Sequence, residues 1–123
     1  MSRVLLVDDS HTVLNFLQAV FESEQFEVVT ASDAMMGLAK ALQAPPDLIV
    51  TDTIMPGLDG FEFLRTIRED PATGKIPVIM LTSSDPDDPE YVNRQPRPDA
   101  FVKKSADVGP LMVEVRATLR ARP

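Results

Sequence analysis

Two rhythms of apolar positions alternate along the chain. Short runs without internal alternation are separated by longer stretches in which apolar residues recur every three to four positions. Arg3 to Val7 is the first short run and stops at two acids. A run that does not alternate suits a strand covered on both faces. Ser10 is placed to cap a helix whose apolar stripe is Val13, Leu14, Leu17, Val20 and Phe21. Phe26 to Thr30 reads as a second strand. Ser32 is placed to cap a second helix carrying Met35, Leu38 and Leu42, which Pro45 and Pro46 end. Leu48 to Asp52 is a third strand, followed by a turn over Met55 to Gly60. Phe61, Leu64 and Ile67 mark a third helix, Asp70 to Lys75 a polar loop, and Pro77 to Thr82 a fourth strand. Ala100 to Lys103 is a weaker fifth strand. Asp107 is placed to cap a last helix with Leu111, Val115 and Leu119 on one face, and Pro110 is tolerable in its first turn.

Strand and helix therefore alternate, which predicts an α/β domain with a five-stranded parallel sheet and helices on both faces. One segment breaks the rhythm. Between residues 85 and 98, where a fourth helix is due, stand Pro86, Pro89, Pro96 and Pro98. A proline inside a helix costs about 3 kcal/mol and biases the preceding residue toward extended backbone. The fourth helix is expected to be shortened or missing. At most one or two turns between Pro89 and Arg94 are expected, with Asp88 as cap and Tyr91 and Val92 as apolar anchors, while Gln95 and Arg97 are extended.

A length of 123 residues with 44% hydrophobic and 25% charged positions suits one domain with one ordinary core, so residues 1–123 are read as a single domain. Without cysteine there is no disulfide framework and no thiolate metal site, which is compatible with the cytosol. The apolar runs are too short to span a membrane, and the N-terminus does not read as a signal peptide. The net charge of −7 argues against nucleic-acid binding by this domain, because phosphate contacts need clustered Lys and Arg. A cytoplasmic protein without membrane contact is expected.

The polar residues at the strand ends change the picture further. Asp8 and Asp9 end the first strand, Asp52 the third and Thr82 the fourth, and Lys104 follows the fifth. In open α/β sheets, ligands bind outside the carboxyl ends of the strands. Three carboxylates converging within roughly 5 Å repel by about 3 kcal/mol per pair at an effective dielectric near 20, and so call for a cation or a shifted pKa. An all-oxygen ligand set favours a hard ion such as Mg²⁺, with Mn²⁺ as the second choice. A carboxylate can also attack phosphorus, a reaction that needs little beyond positioning and charge neutralisation. Lys104 could neutralise one side of a phosphoryl group, and the Thr82 hydroxyl could donate to one of its oxygens. Taken alone, Asp8 and Asp9 would read as a strand-ending cap. His11 reads as a solvated surface residue, Met35, Met36, Met80 and Met112 as core or adaptable surface, and the acidic run Asp85, Asp87, Asp88 and Glu90 as a solvated loop.

At five places the chain resembles the receiver domains of two-component response regulators, in particular the chemotaxis-regulator type. The matching pieces are Leu5 to Ser10, Asp47 to Asp52, Met55 to Gly60, Ile76 to Ser83 and Ala100 to Lys104, in order and at intervals that suit the family. The resemblance covers nearly the whole chain. It implies a flavodoxin-like sheet in the order 2-1-3-4-5 and a phosphorylation switch that is not a metabolic enzyme. It implies Asp52 as phosphoacceptor, and Asp8, Asp9, Asp52 and the Ile54 main-chain carbonyl as the Mg²⁺ site. It also implies Thr82 as sensor of the phosphoryl group, Lys104 as its partner, Ser83 as the small residue beside it, and Phe101 as an aromatic switch. The implied partners are a histidine kinase or phosphotransfer protein and an output protein. Ile54 and Ser84 stand at family positions that tune the phosphoryl lifetime.

There are two departures from the family. The family lysine is usually followed by proline, often through a cis bond, whereas Ser105 follows Lys104 here, and a cis bond to a non-proline residue costs about 3 kcal/mol. The fourth helix, part of the family's usual signalling face, is broken by proline. Both favour an alternative reading, a pseudo-receiver acting as a phosphorylation-independent interaction module, while the intact acidic set argues against it. A third reading, a phosphatase with an aspartate nucleophile, would want an acid or base just after Asp52, where Thr53 and Ile54 stand, and a lid for which the chain has no room. Nothing after Leu119 suggests an output domain, so the chain is expected to be a single-domain regulator or the receiver part of a longer protein.

Overall fold

In the computed structural model, which describes residues 1–121, the chain runs β1 (Arg3–Val7), α1 (His11–Ser23), β2 (Glu27–Ala31), α2 (Ala34–Gln43), β3 (Leu48–Asp52), α3 (Gly60–Glu69), β4 (Val78–Thr82), α4 (Pro89–Val92), β5 (Ala100–Lys103) and α5 (Gly109–Arg120). The strands pair in parallel in the order β2-β1-β3-β4-β5. β3 and β4 are buried at every residue and β1 at all but its first, which is why these runs do not alternate in sequence. The period of two still sorts their side chains into two cores. Leu5, Val7, Ile49, Val78 and Met80 face the layer of α2 and α3. Val4, Leu6, Leu48, Val50, Ile79 and Leu81 face the layer of α1 and α5. Phe63 and Phe21 are fully buried, one in each core.

Three local expectations are corrected. The cap of α2 is Asp33, whose side chain accepts the Met36 N–H at 2.7 Å, and not Ser32. The buried face of α2 is Ala34, Gly37 and Ala41, with Leu38 partly buried, while Met35 and Leu42 are exposed. The reason is closeness of packing. A methyl group on Gly37 would lie 3.1 Å from Val7 Cγ2 and 3.3 Å from Phe63 Cε1, so the small residues form the seam and the large ones lie off it. At α5 the cap position is Val108, without a side-chain cap, and Asp107 stands one residue earlier, where it accepts the Gly109 N–H at 3.0 Å.

The proline-rich segment holds α4 as four residues, capped by Asp88 as expected. Packing orders it in place of helical length. The Tyr91 ring stacks on Phe61 with centroids 6.1 Å apart, and Phe101 lies 6.0 Å from both rings. The Arg94 guanidinium sits 4.0 Å from the Phe61 centroid, and Arg65 donates to the Gln95 carbonyl at 3.2 Å. The segment is thus strapped to α3 through aromatic and cation–π contacts. Tyr91→Ala is expected to cost about 1 kcal/mol, the worth of such a ring pair. It should also speed amide exchange across residues 88–95 while leaving exchange in β1, β3 and β4 unchanged. Unaltered exchange at 88–95 would mean that Tyr91 does not hold the strap.

Candidate functional site

A parallel sheet brings its carboxyl ends to one edge, and the residues beyond β1, β3 and β5 meet there. Asp8 directly follows β1 and is buried. Its N–H donates to the Ala31 carbonyl at 3.1 Å, and its Oδ1 accepts the Ser10 N–H at 2.9 Å. Ser10 in turn caps α1 by accepting the Val13 N–H. The start of α1 therefore fixes the Asp8 carboxylate. Asp9 is exposed beside it. Asp52 is the last residue of β3, and its Oδ1 accepts the Thr53 N–H at 2.8 Å.

Lys104 joins these pieces. Its main-chain N–H donates to the Thr82 carbonyl at 2.7 Å, which carries the β4–β5 pairing past the end of the strand. Its Nζ donates to Asp52 Oδ2 at 3.1 Å and lies 2.8 Å from Asp8 Oδ2. The contact with Asp8 is an ion pair; no directed hydrogen bond reaches Asp8 Oδ2, which is buried and retains acceptor capacity. Among the described residues the cis peptide bond is Gln95–Pro96, so the bond between Lys104 and Ser105 is trans. The lysine reaches both carboxylates without a proline after it.

Asp8, Asp9 and Asp52 offer oxygens that all lie within 4.8 Å of one another. Three carboxylates against one ammonium leave an excess of two negative charges, the charge of a single divalent cation. With oxygen donors only, a buried oxygen lacking a directed partner and one exposed member open to water, the residues fit a hexahydrate-derived ion such as Mg²⁺. Burial pushes the Asp52 carboxyl above its ordinary pKa, with the hydrogen bond from Lys104 opposing and the Asp8 charge adding to the rise. Burial alone would lower the Lys104 ammonium, but its pairing with Asp8 and Asp52 outweighs that and raises it.

Thr82 ends β4 and is buried, and its Oγ1 accepts the Ser84 N–H at 3.0 Å. Phe101 is not part of the acidic cluster. It is half-buried in the core on the α2–α3 side, beside the stacked rings of Phe61 and Tyr91. Ile54 is 68% exposed, and because its side chain carries no donor atom only its main-chain carbonyl is a ligand candidate. His11 opens α1 on the surface, and Lys103 is exposed.

Two residues of the site escaped the reading of the sequence. Gly60 opens α3 against the end of β3, where a methyl group would collide with the carbonyl oxygens of Asp52 and Thr53 and with Met80 Cε. A glycine directly after the Asp59 cap was the available signal, hidden by the turn before it, which carries a glycine of its own, Gly57. Thr53 is 3% exposed, and its Oγ1 donates to the Leu81 carbonyl at 2.6 Å. A threonine at a strand end is too common to stand out.

Comparison with known proteins adds the following. A family model described as response regulator receiver domain matches residues 4–116. Response regulator PleD of Caulobacter vibrioides is 35% identical over 119 residues, which are 97% of this chain and 26% of that protein. Protein PilH of Pseudomonas aeruginosa is 34% identical over 119 residues, 97% of this chain and 98% of that protein. The chain thus spans about a quarter of one relative and nearly all of the other. Among solved structures, response regulator TrrA of Thermotoga maritima, in complex with Mg²⁺ and BeF, superposes with a TM-score of 0.85 at 28% identity, covering 96% of this chain and 99% of that one.

The raised Asp52 pKa carries a sign. A carboxyl that binds its proton more tightly when folded contributes stability at pH below its unfolded value and loses it as pH rises through the folded one. Ionised Asp52 therefore costs stability in the metal-free protein at neutral pH. Asp52→Asn is expected to raise the metal-free melting temperature by a few degrees at about pH 7, with the gain shrinking toward about pH 4. A variant less stable than wild type at neutral pH would contradict this balance of charges.

Proposed function

The chain belongs to the response regulator receiver domain family, and from that premise we propose that it is a phosphorylation-dependent switch of a two-component phosphorelay, with Asp52 as phosphoacceptor. The observation that carries this reading is the single ammonium of Lys104, held 2.8 Å from Asp8 and 3.1 Å from Asp52 although Ser105 replaces the usual proline. Two buried carboxylates held beside one cation are what phosphotransfer to an aspartate requires, a charge to attack with and a charge to neutralise the incoming group.

The donor is a phosphohistidine of a histidine kinase or a phosphotransfer protein. An Asp52 oxygen forms the bond to phosphorus as the P–N bond breaks, and the electron pair of that bond returns to the imidazole. Thr53 N–H and Lys104 Nζ each hold one Asp52 oxygen, so the carboxylate is oriented before the donor arrives. Lys104 then follows the charge from the carboxylate to the phosphoryl oxygens. Thr82 Oγ1 accepts from Ser84, which leaves its own proton for a phosphoryl oxygen. Asp8, Asp9, Asp52 and the Ile54 carbonyl would hold Mg²⁺, or Mn²⁺ in its place, which when bound supplies the positive charge that the carboxylates and the phosphoryl group lack.

Thr82 is buried at the end of β4, and Phe101 pairs with Met80 on the same strand two residues earlier. A shift of Thr82 toward a phosphoryl group is thereby passed to the rings of Phe101, Tyr91 and Phe61. As a receiver domain the chain is a signalling module, and its chemistry is its own phosphotransfer and slow hydrolysis. No helix among the described residues is long and apolar enough to cross a membrane. The partners proposed are the phosphodonor and an output protein, met in the cytoplasm and without nucleic-acid contact by this domain.

Acetyl phosphate and Mg²⁺ should add one phosphoryl group, read by intact mass, and Asp52→Asn should abolish it. Lys104→Ala should fold yet lose most of the downstream response, while Lys103→Ala, exposed and pointing to the other face of β5, should be nearly silent. A wild type that gains no mass would replace this reading with the phosphorylation-independent module.

A further inference from the structure

Thr53 touches the phosphoacceptor, yet the mechanism above uses only its main chain. Its three polar groups are all engaged with the frame of the site. The N–H lies 2.8 Å from Asp52 Oδ1 and 3.0 Å from the Leu81 carbonyl oxygen, so one donor is shared between two acceptors. The side-chain Oγ1 donates to that same Leu81 oxygen at 2.6 Å. The carbonyl accepts the Gly60 N–H at 2.9 Å, at the start of α3.

The Leu81 carbonyl oxygen has two lone pairs and takes both the N–H and the hydroxyl of Thr53. Two bonds to one oxygen anchor the Thr53 main chain to the end of β4, and the anchored N–H is held on Asp52 Oδ1. A second consequence follows from position. Leu81 directly precedes Thr82, so the hydroxyl ties the orientation of the Asp52 carboxylate to the strand end that carries the phosphoryl sensor.

Deepening the function proposed above, and resting on it, we propose that Thr53 is a positioning residue for phosphoryl transfer: its hydroxyl, by bonding the Leu81 carbonyl, anchors the Thr53 main chain so that its N–H stays on Asp52 Oδ1, and so fixes the plane of the attacking carboxylate. The hydroxyl does not touch the phosphoryl group and accepts no proton in the reaction. It acts through the N–H, and its loss lets the carboxylate turn about its Cβ–Cγ bond while Lys104 still holds Oδ2. A misplaced nucleophile slows transfer without unfolding the protein.

Two pairs of side chains differ in this hydroxyl and almost nothing else: Thr53 against Thr53→Val, and Thr53→Ser against Thr53→Ala. Each protein is incubated with acetyl phosphate and Mg²⁺, and the rate of phosphoryl gain is followed by intact mass, with thermal unfolding measured beside it. Thr53→Val and Thr53→Ala are expected to react about tenfold more slowly than their hydroxyl-bearing counterparts, the order of loss for a nucleophile that is present but poorly oriented. Thr53→Ser should recover most of the wild-type rate even where it melts lower than Thr53→Val. If Thr53→Val fails to fold, the Ser and Ala pair carries the same comparison. Equal rates within each pair, with wild type phosphorylated, would overturn the role of Thr53 alone. A Ser variant as slow as the Ala variant would do the same. No phosphorylation of wild type would overturn the proposed function and this role together.

Discussion

The ion pairs from Lys104 to Asp8 and Asp52 are the constraint on which the rest of the site depends. Two buried aspartates stand at the ends of neighbouring strands, with a third, exposed one beside them. Desolvated like charges at this distance would open the sheet edge or take up protons. Among the described residues, one ammonium faces both buried members. Its position is set by the backbone, because the Lys104 N–H extends the β4–β5 ladder to the Thr82 carbonyl. Bonds therefore run in a ring, from Asp52 through Thr53 to Leu81, along β4 to Thr82, across to Lys104 and back to Asp52.

The ring also accounts for a departure that looked serious in the sequence. Ser105 in place of proline removes a rigid backbone device after the lysine. The bond from Lys104 N–H to Thr82 and the turn in which Asp107 N–H donates to Ser105 Oγ at 3.0 Å supply the restraint instead. The second departure has a different outcome. The prolines leave α4 as a single turn, but Tyr91, Arg94 and Arg65 bind the segment to α3, so this face of the molecule carries one helical turn held down by ring packing in place of a regular helix. An output partner that reads a regular fourth helix would find a different surface here.

The strands and the edge bearing Asp8, Asp9, Asp52, Thr82 and Lys104 were legible because unalternating apolar runs and strand-end polar residues leave strong marks, while the strand order was what the resemblance to receiver domains implied. Helix α1 was read correctly down to its Ser10 cap, since Leu14, Leu17 and Phe21 are both large and buried. Helix α2 was misread by one position because its seam is made of Ala34, Gly37 and Ala41, and a search for large apolar residues finds Met35 and Leu42 instead. Thr53 and Gly60 were missed for a related reason. Their importance lies in what approaches them, a carbonyl oxygen in one case and the end of β3 in the other, and closeness of approach is a property of three-dimensional packing. Asp107 shows the limit of capping rules. It does bond the first helical N–H, but from one residue too early to be the cap.

Three carboxylates and one ammonium leave room for one divalent charge, and a Mg²⁺ titration followed by thermal unfolding reads that balance. A ligand that binds only the folded state raises its stability in a saturable way. Wild type should melt progressively higher as Mg²⁺ is added and then level off, and Asp9→Ala should start higher without metal and gain less from it. A wild type indifferent to Mg²⁺, or an Asp9→Ala variant that responds as strongly as wild type, would contradict the account.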